Sequence, residues 1–317
     1  MKLLSLPFVL CPTLLMAETP SVVTDIAPIH SLTAMVMDGV GAPHQLLPQG
    51  ADPHDFALRP SDAKALGDAN LVIWVGASLT PWMADPLETL AGDAVHLTLL
   101  ETEGWTKLDF PEGGHDHGHG DDDHEDDHDD DHEGEHGEEH HDDHEDEHAG
   151  DVDPHAWLSP VAASAWLSHI SEELSAIDPD NAATYAANAA AAAQDLTALS
   201  SEISGQLDAA QIGPYVLPHA ALQYFEVQFG VPSAGTVGAY DNATPGPAHI
   251  AELKAEMEDV VCVLHEPTND KWAKLLTEGT DAKIAPLDLT GAMQTSGADL
   301  YPAMMRDIAA NLIDCAS

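Results

Sequence analysis

The stretch from Gly113 to Gly150 limits what this chain can fold into more than any other, because it holds almost nothing but His, Asp, Glu and Gly. Folding offsets conformational entropy by burying apolar groups, and between Gly113 and His148 there is no apolar side chain to bury. The stretch is therefore expected to be a solvated tether, disordered without a ligand, and any core must be assembled from the residues on either side of it. Eleven of the chain's twenty histidines lie in it: His115, His117, His119, His124, His128, His132, His136, His140, His141, His144 and His148. Imidazole nitrogen suits zinc, copper and nickel, whereas carboxylate oxygen suits calcium, magnesium and manganese, so the mixture favours zinc. From His124 to His148 a histidine recurs at every fourth position, a spacing that puts neighbours on one helical face. Charge repulsion, with Gly134 and Gly137, opposes such a helix before metal binds. An acidic run without histidine reads as a solubilising loop; the histidine density turns this one into a secondary, low-affinity metal loop.

At 317 residues and 44% apolar composition the chain is long enough for two domains with real cores. Its formal charge of −47 excludes a nucleic-acid partner on electrostatic grounds and gathers cations instead. Between Lys107 and Lys254 there is no Lys or Arg at all. The N-terminus MKLLSLPFVLCPTLLMAETP combines Lys2, an apolar run from Leu3 to Met16 and the small residue Ala17, the pattern of a signal peptide cleaved after Ala17. A lipoprotein would need a small residue before Cys11, where Leu10 stands. A soluble periplasmic protein is expected, with no further stretch able to span a membrane. Processing leaves Cys262 and Cys315 in an oxidising compartment, where a pair favours a disulfide over a metal site.

The remaining sequence alternates strand and helix. SVVTDIAPI reads as a strand breaking at Pro28, followed by a helical pattern from Ser31 to Val40. Strands are then expected at residues 44–48, 70–76 and 94–100, with a helix after Pro60. Short apolar runs between helices indicate a parallel sheet buried on both faces. After the tract, a helix carries Trp166 and Leu167, and Asp178-Pro179 offers an N-cap and a first helical residue. From Pro179 to Ala210 the alanine-rich sequence predicts one long helix of about 45 Å. The α/β pattern then repeats at residues 215–219, 233–238, 260–266 and 283–288, closing with a helix over about 298–313. The expected architecture is α/β: two lobes, each with a mainly parallel four-stranded sheet flanked by helices, joined by one long backbone helix. The boundaries read as a leader 1–17, a first lobe 18–160 containing the loop 113–149, a helical linker 161–210 and a second lobe 211–317.

Three histidines outside the tract share a setting. His54 follows Asp52-Pro53 at the end of an expected strand, His155 follows Asp153-Pro154, and His219 follows Pro218 at the end of the strand YVLPH. A preceding proline stiffens the backbone beside a ligand, and in open α/β sheets ligands bind beyond the carboxyl ends of strands. Two of these histidines lie in the first half and one in the second, so a site using all three lies between the lobes. His30, His44, His96, His169, His249 and His265 have no comparable context.

GADPHDFALRPSDAKALGDANLVIWVG, DPHAWLSP and YVLPHAALQYFEVQFGV resemble the zinc-uptake substrate-binding proteins of bacterial ABC transporters (ZnuA type). The resemblance covers nearly the whole chain after the leader, including the His-rich insertion and the cysteine pair. It implies two α/β domains bridged by a long helix, with Zn(II) bound in the cleft by His54, His155 and His219, and a disulfide between Cys262 and Cys315. It further implies a monomeric carrier that serves the membrane permease and ATPase subunits of an importer and is not an enzyme. Relatives that carry manganese or iron replace the third histidine with a carboxylate and use an aspartate from the last strand. Here His219 favours zinc, while Asp288 stands at the matching aspartate position. Some zinc relatives have an acidic residue just before the first histidine, where this chain has Pro53. The fourth ligand is therefore Asp288, a water or a histidine of the tract.

Three other readings compete: a manganese transport protein, a metal buffer in which the tract alone is functional, and a hydrolase built on a three-histidine zinc with an open position. An enzyme would need a positioned base; Glu226 and Glu266 are candidates, but each reads more simply as a surface carboxylate.

Overall fold

The computed structural model describes residues 19–110, 152–238 and 245–317. The expected leader and the acidic tract with all eleven of its histidines lie outside the described residues.

In the first lobe the β-branched run Val22–Thr24 forms β1, and Ala27–Val36 forms α1. Pro28 sits in the first turn of α1, where its missing N–H breaks no helical bond. The helix thus begins ahead of Ser31, and the proline that reads as a break is its start. There follow β2 (His44–Gln45), α2 (Pro60–Gly67), β3 (Leu71–Trp74), α3 (Ala84–Leu90) and β4 (Val95–Thr98). All pairs are parallel, in the order β2-β1-β3-β4. β3 is buried at every position, as a strand covered on both faces must be.

Two long antiparallel helices come next, α4 (Pro160–Ile177) and α5 (Ala182–Ala210). The expected helix start at Pro179 is a single 3-10 turn, Pro179–Asn181, and the α-helix proper begins at Ala182. Asp178 makes no side-chain cap; instead its Oδ2 accepts from Asn181 Nδ2 at 2.7 Å and Tyr185 Oη at 2.8 Å, closing the corner between the helices. Burial, with this carboxylate beside it, pushes the Tyr185 phenol well above its ordinary range. Along α5 the buried residues Tyr185, Ala189, Ala192, Leu196, Leu199, Ile203 and Leu207 recur every three or four positions, a single apolar stripe. Its first half touches α1, with Asn188 Nδ2 donating to the carbonyls of Val36 and Asp38. Its last turns pair Glu202 with Arg306. The helix stops at Gln211, whose φ of 55° is left-handed, just before Gly213 and Pro214.

The second lobe contains β5 (Tyr215–His219), α6 (Gln223–Phe229), β6 (Gly235–Gly238), α7 (Pro247–Ala255), β7 (Cys262–His265), α8 (Lys271–Thr277), β8 (Lys283–Pro286) and α9 (Leu300–Ala316). Its parallel order, β6-β5-β7-β8, repeats the winding of the first sheet. A disulfide joins Cys262 on β7 to Cys315 on α9 across a Cα separation of 5.4 Å.

One apolar core runs from Val22 and Leu71 in the first sheet through Trp166, Leu196 and Tyr301 in the intervening helices to Leu217 and Leu264 in the second. The outer faces of the sheets have separate clusters, under α2 and α3 in one lobe and under α7 and α8 in the other. Both ends of the described chain that flank the tract meet at one stem: Asp109 pairs antiparallel with Val152, and Asp153 N donates to Leu108 O at 2.8 Å. Leu108 N in turn donates to Tyr224 Oη on α6, tying the stem to the second lobe. Among the described residues no helix is long and apolar enough to cross a membrane.

Candidate metal centre

His54 and His155 are held by the same local device. In each Asp-Pro-His unit the aspartate accepts the backbone N–H of the histidine two residues on: Asp52 Oδ1 from His54 N at 2.8 Å, and Asp153 Oδ1 from His155 N at 2.9 Å. The proline between fixes φ, so aspartate and proline together set a rigid Asx turn that presents the imidazole. Trp82 Nε1 anchors the first turn by donating to Pro53 O at 2.8 Å. His54 was expected at the end of a strand; it lies instead in the loop between β2 and α2.

At His155 the aspartate acts twice. Asp153 Oδ1 also lies 2.8 Å from His155 Nδ1, and both side chains are buried. A carboxylate there accepts the Nδ1 proton and leaves the Nε2 lone pair free for an electrophile. With its amide turned to donate, Gln223 of α6 reaches Asp153 Oδ2 at 2.9 Å, so the second lobe steadies the group that steadies His155.

His219 ends β5 and is buried. Its ring centroid lies 5.8 Å from that of His155, which lies 6.2 Å from that of His54. Imidazoles sharing one tetrahedral zinc at Zn–N distances of about 2.0–2.1 Å hold their centroids about 5 Å apart. Both spacings are wider than that, and among the described residues no three metal-binding side chains are within range of a single ion.

The rings of His155 and His219 border a cavity of 170 Å³ between the lobes, walled also by Ala51, Pro53, Trp157, Glu266 and Asp288, whereas His54, directly after Pro53, is not itself part of the wall. Asp288 lies just beyond β8 and is buried; its two oxygens accept backbone N–H groups from Ala292 and Met293 at 2.9 and 2.8 Å. A carboxylate has about four lone-pair sites, so these bonds fix its direction without exhausting it. Trp157 closes the cavity floor, its Nε1 donating to Leu289 O at 2.8 Å.

Two groups were undervalued in the sequence. Glu266 reads there as a surface carboxylate, but it stands in the cavity wall with Oε1 3.6 Å from His219 Nδ1. The signal that would have found it is its place directly after a strand that pairs with β5, which only the strand order supplies. Asp25, at the end of β1, is fully buried and accepts N–H bonds from Ile26 and Val75, each at 2.7 Å. Burial pushes its carboxyl up to about 7 despite those two donors. Glu226, the other candidate base, accepts from Tyr215 Oη and Ser233 N within the second lobe. His96, His169, His249 and His265 bind nearby backbone carbonyls, as ordinary structural histidines do.

Comparison with known proteins gives a consistent picture. The family model described as "Zinc-uptake complex component A periplasmic" matches residues 22–315. The high-affinity zinc uptake system protein ZnuA of Paracoccus denitrificans is 46% identical over 303 residues, covering 94% of this chain and 92% of that protein. The protein of the same description from Brucella suis is 40% identical over 316 residues, covering 97% and 95%. The crystal structure of the Zn(II)-bound ZnuA-like domain of Streptococcus pneumoniae AdcA shares the fold, with a TM-score of 0.68 and 21% identity over 94% of this chain and 99% of that one.

Proposed function

The chain belongs to the periplasmic zinc-uptake complex component A family, and from that premise we propose that it captures Zn(II) between its two lobes and delivers it to the permease and ATPase subunits of an ABC importer. His54, His155 and His219 are the ligands in this reading. The observation that supports it is the neighbourhood of imidazoles from both lobes, His155 lying between His54 and His219 at ring spacings of 6.2 and 5.8 Å, with His155 and His219 on the wall of one cavity. Three neutral imidazoles with one carboxylate favour zinc over manganese. Asp288 completes the tetrahedron, because its direction is set by two backbone donors and it faces the same cavity.

The remaining roles follow from the sequence. Residues 1–17 export the chain and are removed, leaving a monomer in the periplasm; the lobes divide at 18–160 and 211–317, with the helical linker 161–210 between. The tract at 113–149 is a collector of weaker zinc ions: a segment that must order around each ion binds less tightly than a preformed site. Its stem at Asp109 and Val152 is joined through Asp153 to His155, which keeps captured ions at high effective concentration beside the cleft. The chain is a carrier rather than a hydrolase in this reading, since Glu226 is engaged within the second lobe and Glu266 faces the ring of a ligand.

Native mass spectrometry with zinc and manganese competition tests the proposal. One tight zinc per chain is expected, abolished by alanine at His54, His155 or His219 and retained when residues 113–149 are deleted, with fewer zinc ions bound in total. Tighter manganese binding, or a tight site lost with the tract, would falsify it.

A further inference from the structure

The proposed ligand His155 has a carboxylate on its Nδ1, and the winding of the second sheet supplies His219 with a counterpart. In the order β6-β5-β7-β8, three adjacent parallel strands run out at the cleft. β5 ends in His219, β7 is followed directly by Glu266, and β8 is followed by Asp288 after one residue, Leu287. Glu266 therefore stands between the other two. Its backbone is fixed in a tight turn, since Asn269 N donates to Glu266 O at 3.0 Å and His265 Nδ1 lies 2.8 Å from the same oxygen. Its Oε1 is 3.6 Å from His219 Nδ1, a few tenths of an ångström beyond the usual N–H···O range. Glu266 is about a third exposed, its side-chain exposure being 31%, and among the described residues no Lys or Arg lines the cavity to draw it away.

We propose that Glu266 is the positioning residue for His219, accepting its Nδ1 proton when the site loads and so fixing Nε2 on the ion. This rests on the reading of His219 as a ligand. The chemistry is that of Asp153 and His155: a metal on Nε2 withdraws charge from the ring, the Nδ1–H becomes a better donor, and a carboxylate across from it locks the tautomer and raises ligand basicity. Glu266 is part-exposed and free to turn about its own side-chain torsions, and a shift of a few tenths of an ångström closes the 3.6 Å gap to a hydrogen bond. Each lobe then contributes a histidine backed by its own carboxylate.

The test uses the full chain with Glu266→Gln, Glu266→Asp and Glu266→Ala, and Asp153→Asn and His219→Ala for comparison. Zinc affinity is read by competition with a chromophoric chelator, and coordination by the visible spectrum of the cobalt(II) form. Glu266→Ala is expected to weaken zinc by about 10- to 100-fold, Glu266→Gln by about tenfold, and Glu266→Asp by less, all with an unchanged cobalt coordination number and an unchanged melting temperature for the metal-free protein. Affinity within twofold of the parent for Glu266→Ala overturns the proposal. A changed cobalt coordination number also overturns it, by making Glu266 a ligand. If His219→Ala retains tight zinc, the ligand assignment itself falls, whereas loss in His219→Ala with parental binding in Glu266→Ala removes only the positioning role.

Discussion

The two sheets are wound in the same order, yet the lobes hold their cleft-facing side chains by different means. In the first lobe His54 and His155 sit in loops, each fixed by an aspartate two residues before it. In the second, His219, Glu266 and Asp288 stand at the ends of neighbouring strands, fixed by the register of the whole sheet. A locally held group fails when its local partner is removed. A group held by register fails when the lobe loosens. The lobes differ in reinforcement as well: a disulfide ties β7 to α9 in the second, while the first carries the buried carboxylate of Asp25 at the end of β1.

The sharpest way to break this comparison is to loosen the second lobe alone. The disulfide spans 53 residues of sequence, and a cross-link of that length stabilises by about 4 kcal/mol through the unfolded chain. Cys315→Ser should lose about that much in denaturant unfolding and weaken zinc binding by disturbing the register beneath His219. A loss under about 1 kcal/mol would show that the lobe is held by its core alone.

Next in size is the local device of the first lobe. Asp153→Ala removes both the turn bond and the Nδ1 partner of a buried imidazole, and zinc affinity is expected to fall by about 100-fold in calorimetric titration. Asp52→Ala removes the turn bond at His54 N and should cost about tenfold. Equal, small losses in both would mean that His54 and His155 are held by something other than these aspartates.

The smallest step, taken per pH unit, concerns Asp25. Its folded-state pKa is raised from 3.8 to about 7 by burial, so the folded chain keeps a proton that the unfolded chain releases. The stability this contributes is complete below pH 3.8 and is lost as the pH rises through about 7, at about 1.4 kcal/mol per pH unit within that window. Asp25→Asn should lack this slope, and denaturant unfolding of parent and variant between pH 4.5 and 8 measures the difference. Parallel curves would place the ionised form of Asp25 in the folded lobe at all these pH values, held by the Ile26 and Val75 amides.

How much of this was legible in the sequence follows the same division. The Asp-Pro-His units were readable because an Asx turn involves three consecutive residues, although the second bond of Asp153 to its own histidine's ring needed coordinates. The two sheets and the long helix were readable because apolar periodicity is local. The start of α1 was misplaced because a proline in a first turn looks like a proline that ends a strand. Asp178 looked like a cap, and it closes a corner through Asn181 and Tyr185 instead. Glu266 escaped because its neighbours in space, His219 and Asp288, are distant in sequence and are brought beside it only by strand order.

The unbroken core between the sheets decides which parts of the molecule can move. Trp166, Tyr185, Leu196 and Tyr301 belong to one apolar body with Leu71 and Leu217, so swinging the lobes apart as a hinge would tear that body and wet both halves. The loop that carries His54 and the turn from Asp288 to Met293 sit at its margin, packed against it through the partly buried Ala51, Phe56 and Leu289 and tied down by polar bonds. Displacing these two segments at the rim of the cleft would disturb less of that apolar body than parting the lobes, so the rim is the softer part of the molecule.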